Sequence, residues 1–251
     1  MLKNLIVHLF AWIICAVGAM LPARAADICE GNSKPGDVCI CALSELHPTQ
    51  ASVGMTEVRI RREKLKQEIE GSSEDFPSHL RKQNRIEPIV IGPGNVFYIT
   101  DGHHLVRALY DLGQKTVYCK VIDNVSTLQP EKFWKYMKDN NEVYLKDNQG
   151  NVIKPSDLPK SIGDLRDDPF RSLAGAIRES CGFRNDNKDV PDRNYLEFKW
   201  ADYLRAHWAQ TSIEVSEIDA YFERAIQAAQ QLAIQKEAAT LPGYTGKASC
   251  Q

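Results

Sequence analysis

Hydrophobic and polar positions alternate over short stretches in the first half of the chain and recur at helical spacing in the second. From Asp37 to Leu46 the apolar residues Val38, Ile40, Ala42 and Leu43 predict a short strand. It ends at His47-Pro48-Thr49-Gln50, because a residue before proline is held extended. Glu57 to Glu70 holds good helix formers and stops before Gly71-Ser72-Ser73, while residues 71–84 are polar without clear period, a loop with room for one helical turn. Ile89-Val90-Ile91, the turn signal Gly92-Pro93-Gly94-Asn95 and Val96-Phe97-Tyr98-Ile99 predict a β-hairpin. After Thr100-Asp101-Gly102-His103-His104, the residues Leu105, Val106, Ala108, Leu109 and Leu112 lie at helical spacing, with Gly113 placed to cap the helix C-terminus. Thr116 to Ile122 is another strand. Residues 37–123 therefore read β-α-β-β-α-β, an α/β unit with a small mixed sheet.

Beyond it the pattern becomes mainly helical. Pro130 to Lys138 is a short helix carrying Phe133, Trp134 and Met137. Glu142 to Ile153, folded about Asp147-Asn148-Gln149-Gly150, predicts a second hairpin, and residues 154–169 are loop-like. Asp168-Pro169 is a cap followed by a first-turn proline, opening a helix to about Ser180. Asn194 to Trp208 places Leu196, Trp200, Tyr203, Leu204 and Trp208 on one face. Ser216-x-x-Asp219 resembles a capping box and opens a helix to about Ala239, leaving a tail of a dozen residues that Cys250 could tie down. The division expected is 1–25 export signal, 26–125 α/β domain and 126–251 helical region.

Composition is that of a globular protein: 251 residues, 43% hydrophobic, 25% charged and a net charge of −2. It excludes a disordered or collagen-like chain, a multi-span membrane protein and a strongly basic nucleic-acid-binding protein. The N-terminus changes that picture. Met1 to Ala25 contains no acid, starts positive at Lys3, runs apolar from Leu5 to Leu21 and closes on Ala23-Arg24-Ala25, which is the pattern of an export signal. Its rival is a retained anchor, for which the run is short. Cleavage after Ala25 removes Lys3, Arg24 and Cys15, so the charge becomes −4 and the seven cysteines become an even six. Exported to the periplasm or beyond, such a chain forms disulfides, and it is expected to keep no stable membrane association. Cys29 paired with Cys39 or Cys41 is one pairing that the Pro35-Gly36 loop allows; Cys39-x-Cys41 lacks the usual zinc spacing.

The sharpest chemistry lies at Asp101-Gly102-His103-His104, where a strand passes into a helix through a glycine. The first amides of that helix face an anion, and two imidazoles there can donate to phosphate, move a proton or bind a metal. Asp101 can orient an imidazole or hold a divalent cation. The plainer alternative has Asp101 capping the helix and the histidines satisfying the turn. Arg59, Arg61, Arg62, Lys64 and Lys66 are read as a solvated helix face, since the acids around them cancel most of their field. No Ser or Cys nucleophile motif and no Walker-type loop occurs.

Taken together, these elements resemble the ParB/sulfiredoxin superfamily, and specifically its exported ParB-like nuclease branch. His47-Pro48-Thr49-Gln50 falls at the first Pro-x-Gln box, Pro88 to Ile91 at the strand before the second, and Gly102 to Ala108 over the Gly-Glu-Arg-Arg box with Arg107-Ala108 kept. Glu197 to Arg205 is similar to the same branch in the C-terminal half. His103, His104 and Leu105 replace the Glu-Arg-Arg of ParB, so CTP binding is not implied. His103 stands where sulfiredoxins carry their cysteine, so sulfinic-acid repair is not implied either. Asp-Gly-His-His is similar to the free-serine kinases of the superfamily, which follow it with an arginine where this chain has Leu105. No helix-turn-helix follows.

The resemblance implies an exported phosphodiesterase or nuclease acting on a phosphate-bearing substrate, nucleotide or nucleic acid, with Asp101, His103 and His104 catalytic. His47, Thr49, Gln50, Gly102 and Arg107 are expected to bind the phosphate, and a divalent metal ion to assist. Two alternatives stay open: a nucleotide-dependent small-molecule kinase of the serine type, and a non-catalytic ligand- or partner-binding module. The oligomeric state is open.

Overall fold

The computed structural model describes residues 28–71, 75–184 and 195–248. Residues 1–25, where an export signal is expected, Asn194 and Cys250 lie outside them. A five-stranded mixed sheet is built from β1 (Val38–Ala42), β2 (Leu46–Pro48), β4 (Glu87–Gly92), β5 (Val96–Ile99) and β6 (Thr116–Asn124), in the order β1-β6-β4-β5-β2. β4 pairs antiparallel with β5 through the predicted hairpin and parallel with β6, while β1 and β2 close opposite edges. Its central strand β4 is apolar on both faces because both are covered. Ile89 and Ile91 pack with Ile99, Leu105 and Leu109 on one side, and Val90 packs with Phe133 and Met137 on the other. The first side carries α1 (Met55–Glu70), α2 (Phe76–Lys82) and α3 (His103–Asp111); the second carries α4 (Pro130–Asp139). A third core joins α5 (Pro169–Glu179), α6 (Leu196–His207) and α7 (Phe222–Ala233) around Trp200, Leu204 and Ala229. This is the mixed α/β unit with a helical C-terminal region that the pattern predicts.

Four details differ from the sequence reading. The strand expected over Asp37 to Leu46 is two strands, because a 3-10 turn at Leu43–Glu45 exposes Ser44 and Glu45 and carries the chain across the sheet. Phe76–Lys82 forms a helix: the side chain of its N-cap Asp75 accepts from the Ser78 amide at 3.1 Å, and Phe76 and Leu80 are buried one turn apart. The second hairpin shrinks to a single bridge, Lys146 to Val152. The last long helix starts at Phe222, since Glu214 and Glu217 box a separate 3-10 turn at Val215–Glu217 and Ser216 caps nothing. A short parallel pair, β3 (Ser52–Val53) with β7 (Arg166–Asp167), leads into α5, whose cap Asp168 accepts from the Phe170 amide at 3.1 Å.

Cys29 and Cys39 are joined by a disulfide that closes ten residues. Cys41 and Cys119 are buried free thiols, and the Cys41 thiol donates to Cys29 Sγ at 3.1 Å. Cys181 is also disulfide-bonded. No helix among the described residues is long and apolar enough to cross a membrane.

Candidate active site

Asp101-Gly102 joins β5 to α3, and the local backbone explains the glycine. Gly102 is the N-cap of α3 with φ of +78°, and a Cβ there would lie 1.4 Å from Glu87 Oε2. Only glycine both accepts the left-handed conformation and lets that carboxylate reach the backbone. Asp101 is exposed, and its Oδ1 accepts from the Gly102 amide at 2.7 Å, so it braces the turn while Gly102 is the cap. The next amides begin α3 without intrahelical acceptors.

Both histidines are engaged with the loop that follows β2. The Thr49 amide donates to His103 Nε2 at 3.1 Å, and the Gly54 amide donates to His104 Nε2 at 3.0 Å. A neutral imidazole that accepts at Nε2 carries its proton on Nδ1, so the bonding assigns that tautomer to both rings. Burial, then the neighbouring His104, then Arg171 push His103 down to about 3. Burial and Arg171 do the same for His104, against a smaller opposing pull from Glu197. Both rings are neutral at physiological pH.

Around this turn lies a cavity of about 810 Å³. One wall comes from the sheet layer: Thr49, Gln50, Glu87, Asp101, His103 and His104. The rest of the lining comes from α1, which covers the sheet, and from α5, α6 and loop residues: Glu57, Arg61, Arg171, Arg178, Glu197 and Phe198, with Tyr144 and Tyr195. Glu57 stands between the two: its Oε2 lies 3.5 Å from His104 Nε2 without a hydrogen bond, while its Oε1 accepts from Arg61 Nη2 at 2.8 Å. Glu197 accepts from Arg178 through Oε1 and from Arg171 Nη2 through Oε2 at 3.4 Å.

Glu87 is the titratable group that stands out. It is 6% exposed, and burial followed by repulsion from Asp101 raises its carboxyl to about 7, against smaller opposing pulls from Arg61 and Arg85. Such a carboxyl can hold or release a proton near neutrality. Glu142, whose pKa is also raised by burial, lines the same side.

Of the expected residues, Thr49, Gln50, Asp101, Gly102, His103 and His104 share the cavity, and His47 and Arg107 do not line it. His47 packs edge-on against Tyr98 at 5.7 Å. Arg107 turns along α3 to Asp111 at 2.9 Å and donates to the Leu165 carbonyl at 2.8 Å. Gln50 donates to the Ser52 carbonyl at 2.9 Å. The sequence reading missed Glu87, Glu57 and Arg171, and it read Arg61 as part of a solvated helix face, whereas Arg61 lines the cavity. For Glu87 the signal was a lone acid at the head of a buried run; for Arg171, a cation in the first turn of a helix, where the dipole disfavours it.

The donor set does not suit the expected metal ion. No three His, Cys, Asp or Glu side chains among the described residues group as metal ligands, and both Nε2 lone pairs already meet backbone N–H groups.

Comparison with known proteins gives a coherent picture. No curated protein matches the sequence. A solved structure, the crystal structure of protein Atu1540 from Agrobacterium tumefaciens, matches with a TM-score of 0.69 and 35% identity, covering 83% of this chain and 97% of that one. The family model described as "Putative ParB-like nuclease" matches residues 39–206, a span holding both walls of the cavity. This chain therefore belongs to the ParB-like nuclease family.

Proposed function

We propose that the protein is an exported phosphodiesterase, with Glu87 as its proton-transferring group. The observation that carries this reading is the Glu87 carboxyl, held at about 7 against the Gly102 backbone, beside the free first amides of α3. The α3 amides receive the non-bridging oxygens of the phosphate. Ionised Glu87 takes a proton from water as the water oxygen bonds to phosphorus. The bond to the leaving oxygen breaks, and that oxygen takes up a proton from solvent at the cavity mouth. Asp101 braces the turn. His103 and His104 hold the turn against residues 49–54 through Nε2 and offer Nδ1–H donors; neutral rings at about 3 are poor bases at pH 7. Export is supported by the pattern of residues 1–25 and by the Cys29–Cys39 disulfide.

Bis(p-nitrophenyl) phosphate hydrolysis by purified protein tests the chemistry. The rate is expected to rise with pH through about 7 as Glu87 ionises, and Glu87→Gln to lower kcat by roughly 10²- to 10⁴-fold. No hydrolysis, or an unchanged Glu87→Gln enzyme, removes the reading. The mass of protein recovered outside the cytoplasm tests export: a chain starting at Ala26 is expected, and an intact Met1 would count against it.

A further inference from the structure

Arg171 occupies an unusual position for a buried cation. It is 4% exposed, it lies in the first turn of α5, and it faces the cavity. A helix N-terminus repels positive charge, so the dipole does not explain it. Its ion pairing is thin. Nη2 reaches Glu197 at 3.4 Å, and Glu197 is shared with Arg178. The nearby cap Asp168 is taken by Arg205 at 2.5 Å. The guanidinium lies flat against Phe198, 3.5 Å from the ring centre, which fixes its plane. Its Nε and Nη1 are buried with no partner, and Arg61 Nε on the same cavity wall is unpartnered as well. Among the described residues Glu57 Oε2 is the one buried side-chain acceptor left without a partner, and it faces His104 at 3.5 Å. A charged fork held in plane with two donors unused is a receptor for a planar or tetrahedral oxyanion.

We propose that Arg171, with Arg61 beside it, binds the phosphate of a small phosphoester or of a flexible single-stranded end, and that duplex nucleic acid is not a substrate. This rests on the phosphodiesterase reading and narrows it. Access supplies the size limit. Arg171, Glu87, His103 and Thr49 are all at most 6% exposed, so a phosphate must enter the cavity to meet them. A duplex carries its phosphates on a stiff cylinder and cannot bring one in without unpairing. Charge supplies the second limit. With 31 basic and 33 acidic residues, the chain lacks the excess that holds a long polyanion by counterion release.

Calorimetry tests this with inorganic phosphate, a thymidine dinucleotide and a short DNA duplex. Wild-type protein is expected to bind phosphate and the dinucleotide and not the duplex. Arg171→Met should weaken dinucleotide binding by about tenfold to a hundredfold, and Arg171→Lys should restore part of it. Glu197→Gln supplies a measurement that misfolding cannot imitate: removing the carboxylate that competes for Arg171 should tighten phosphate binding. Unchanged binding in both Arg171→Met and Glu197→Gln, or tighter binding of duplex than of dinucleotide, overturns the proposal. Arg171-dependent binding without hydrolysis leaves it standing and removes the phosphodiesterase reading. Hydrolysis of duplex with no action on the dinucleotide does the reverse.

Discussion

Glu87 and Gly102 define each other. The carboxylate sits where any side chain at 102 would be, and the backbone conformation there is one that glycine adopts freely. The energetic consequence depends on pH. Burial raises the folded carboxyl from 4.5 to about 7, so between those values the folded chain holds a proton the unfolded chain has lost. Stability contributed by Glu87 is therefore present at low pH and lost as pH rises through about 7. Glu87→Gln has no charge to bury, and it should be more stable than wild type at pH 8 by roughly 2–3 kcal/mol, with the gap closing towards pH 4. Urea denaturation at the two pH values measures it. His103 and His104 act in the opposite sense: their folded values lie below 6.5, so their contribution is lost as pH falls from 6.5 towards about 3. At this scale the Asp-Gly-His-His turn was legible because a glycine between a strand and a helix has few other uses. Glu87 was not, because its partner is a backbone fifteen residues on and nothing local marks the contact.

Among elements, the decisive joint is between α3 and the strand-poor segment 49–54. Two backbone amides of that segment end on the two imidazoles, which fixes the segment against the first turn of α3. Thr49 adds a bond from its hydroxyl to the Ile99 carbonyl at 2.9 Å, and its own carbonyl accepts from the Tyr144 amide at 2.9 Å. His104→Ala leaves the Gly54 amide without its acceptor and should cost about 1–3 kcal/mol. Amide hydrogen exchange would show the Gly54 N–H losing protection while β4 and β6 keep theirs. The hairpin β4–β5 was legible from two apolar runs about the turn at Gly92 to Asn95, helix α3 from the spacing of its buried residues, and β6 from its run of strand formers. Helix α2 was not, since only Phe76 and Leu80 mark its apolar side. The division of β1 from β2 was hidden because the short polar break at Ser44-Glu45 does not record that the chain leaves one edge of a sheet for the other.

For the whole molecule, the cavity depends on two layers that the sequence keeps far apart. Glu87 to His104 lie in the sheet layer and Arg171 to Phe198 in the helical one. Periodicity identified both layers, and it carries no information on how one docks against the other, so the arginine wall was illegible. The Cys29–Cys39 disulfide ties the segment before β1 to that strand. Cys29→Ser, which removes the closure to either cysteine of β1, should lower stability by about 2–3 kcal/mol through the freed ten-residue loop, read as a lower denaturation midpoint under non-reducing conditions.

That disulfide has a neighbour with consequences for how the protein is made. Cys41 Sγ waits 3.1 Å from Cys29 Sγ, on the same strand face as Cys39. A thiolate so placed can displace Cys39 from Cys29 by exchange, with no oxidant consumed. While β1 is still unpaired, the growing chain therefore has two ring closures of nearly equal length to choose between. Pairing of β1 with β6 buries the free thiol and slows the exchange, so completion of the sheet, more than the oxidation itself, selects the final bond.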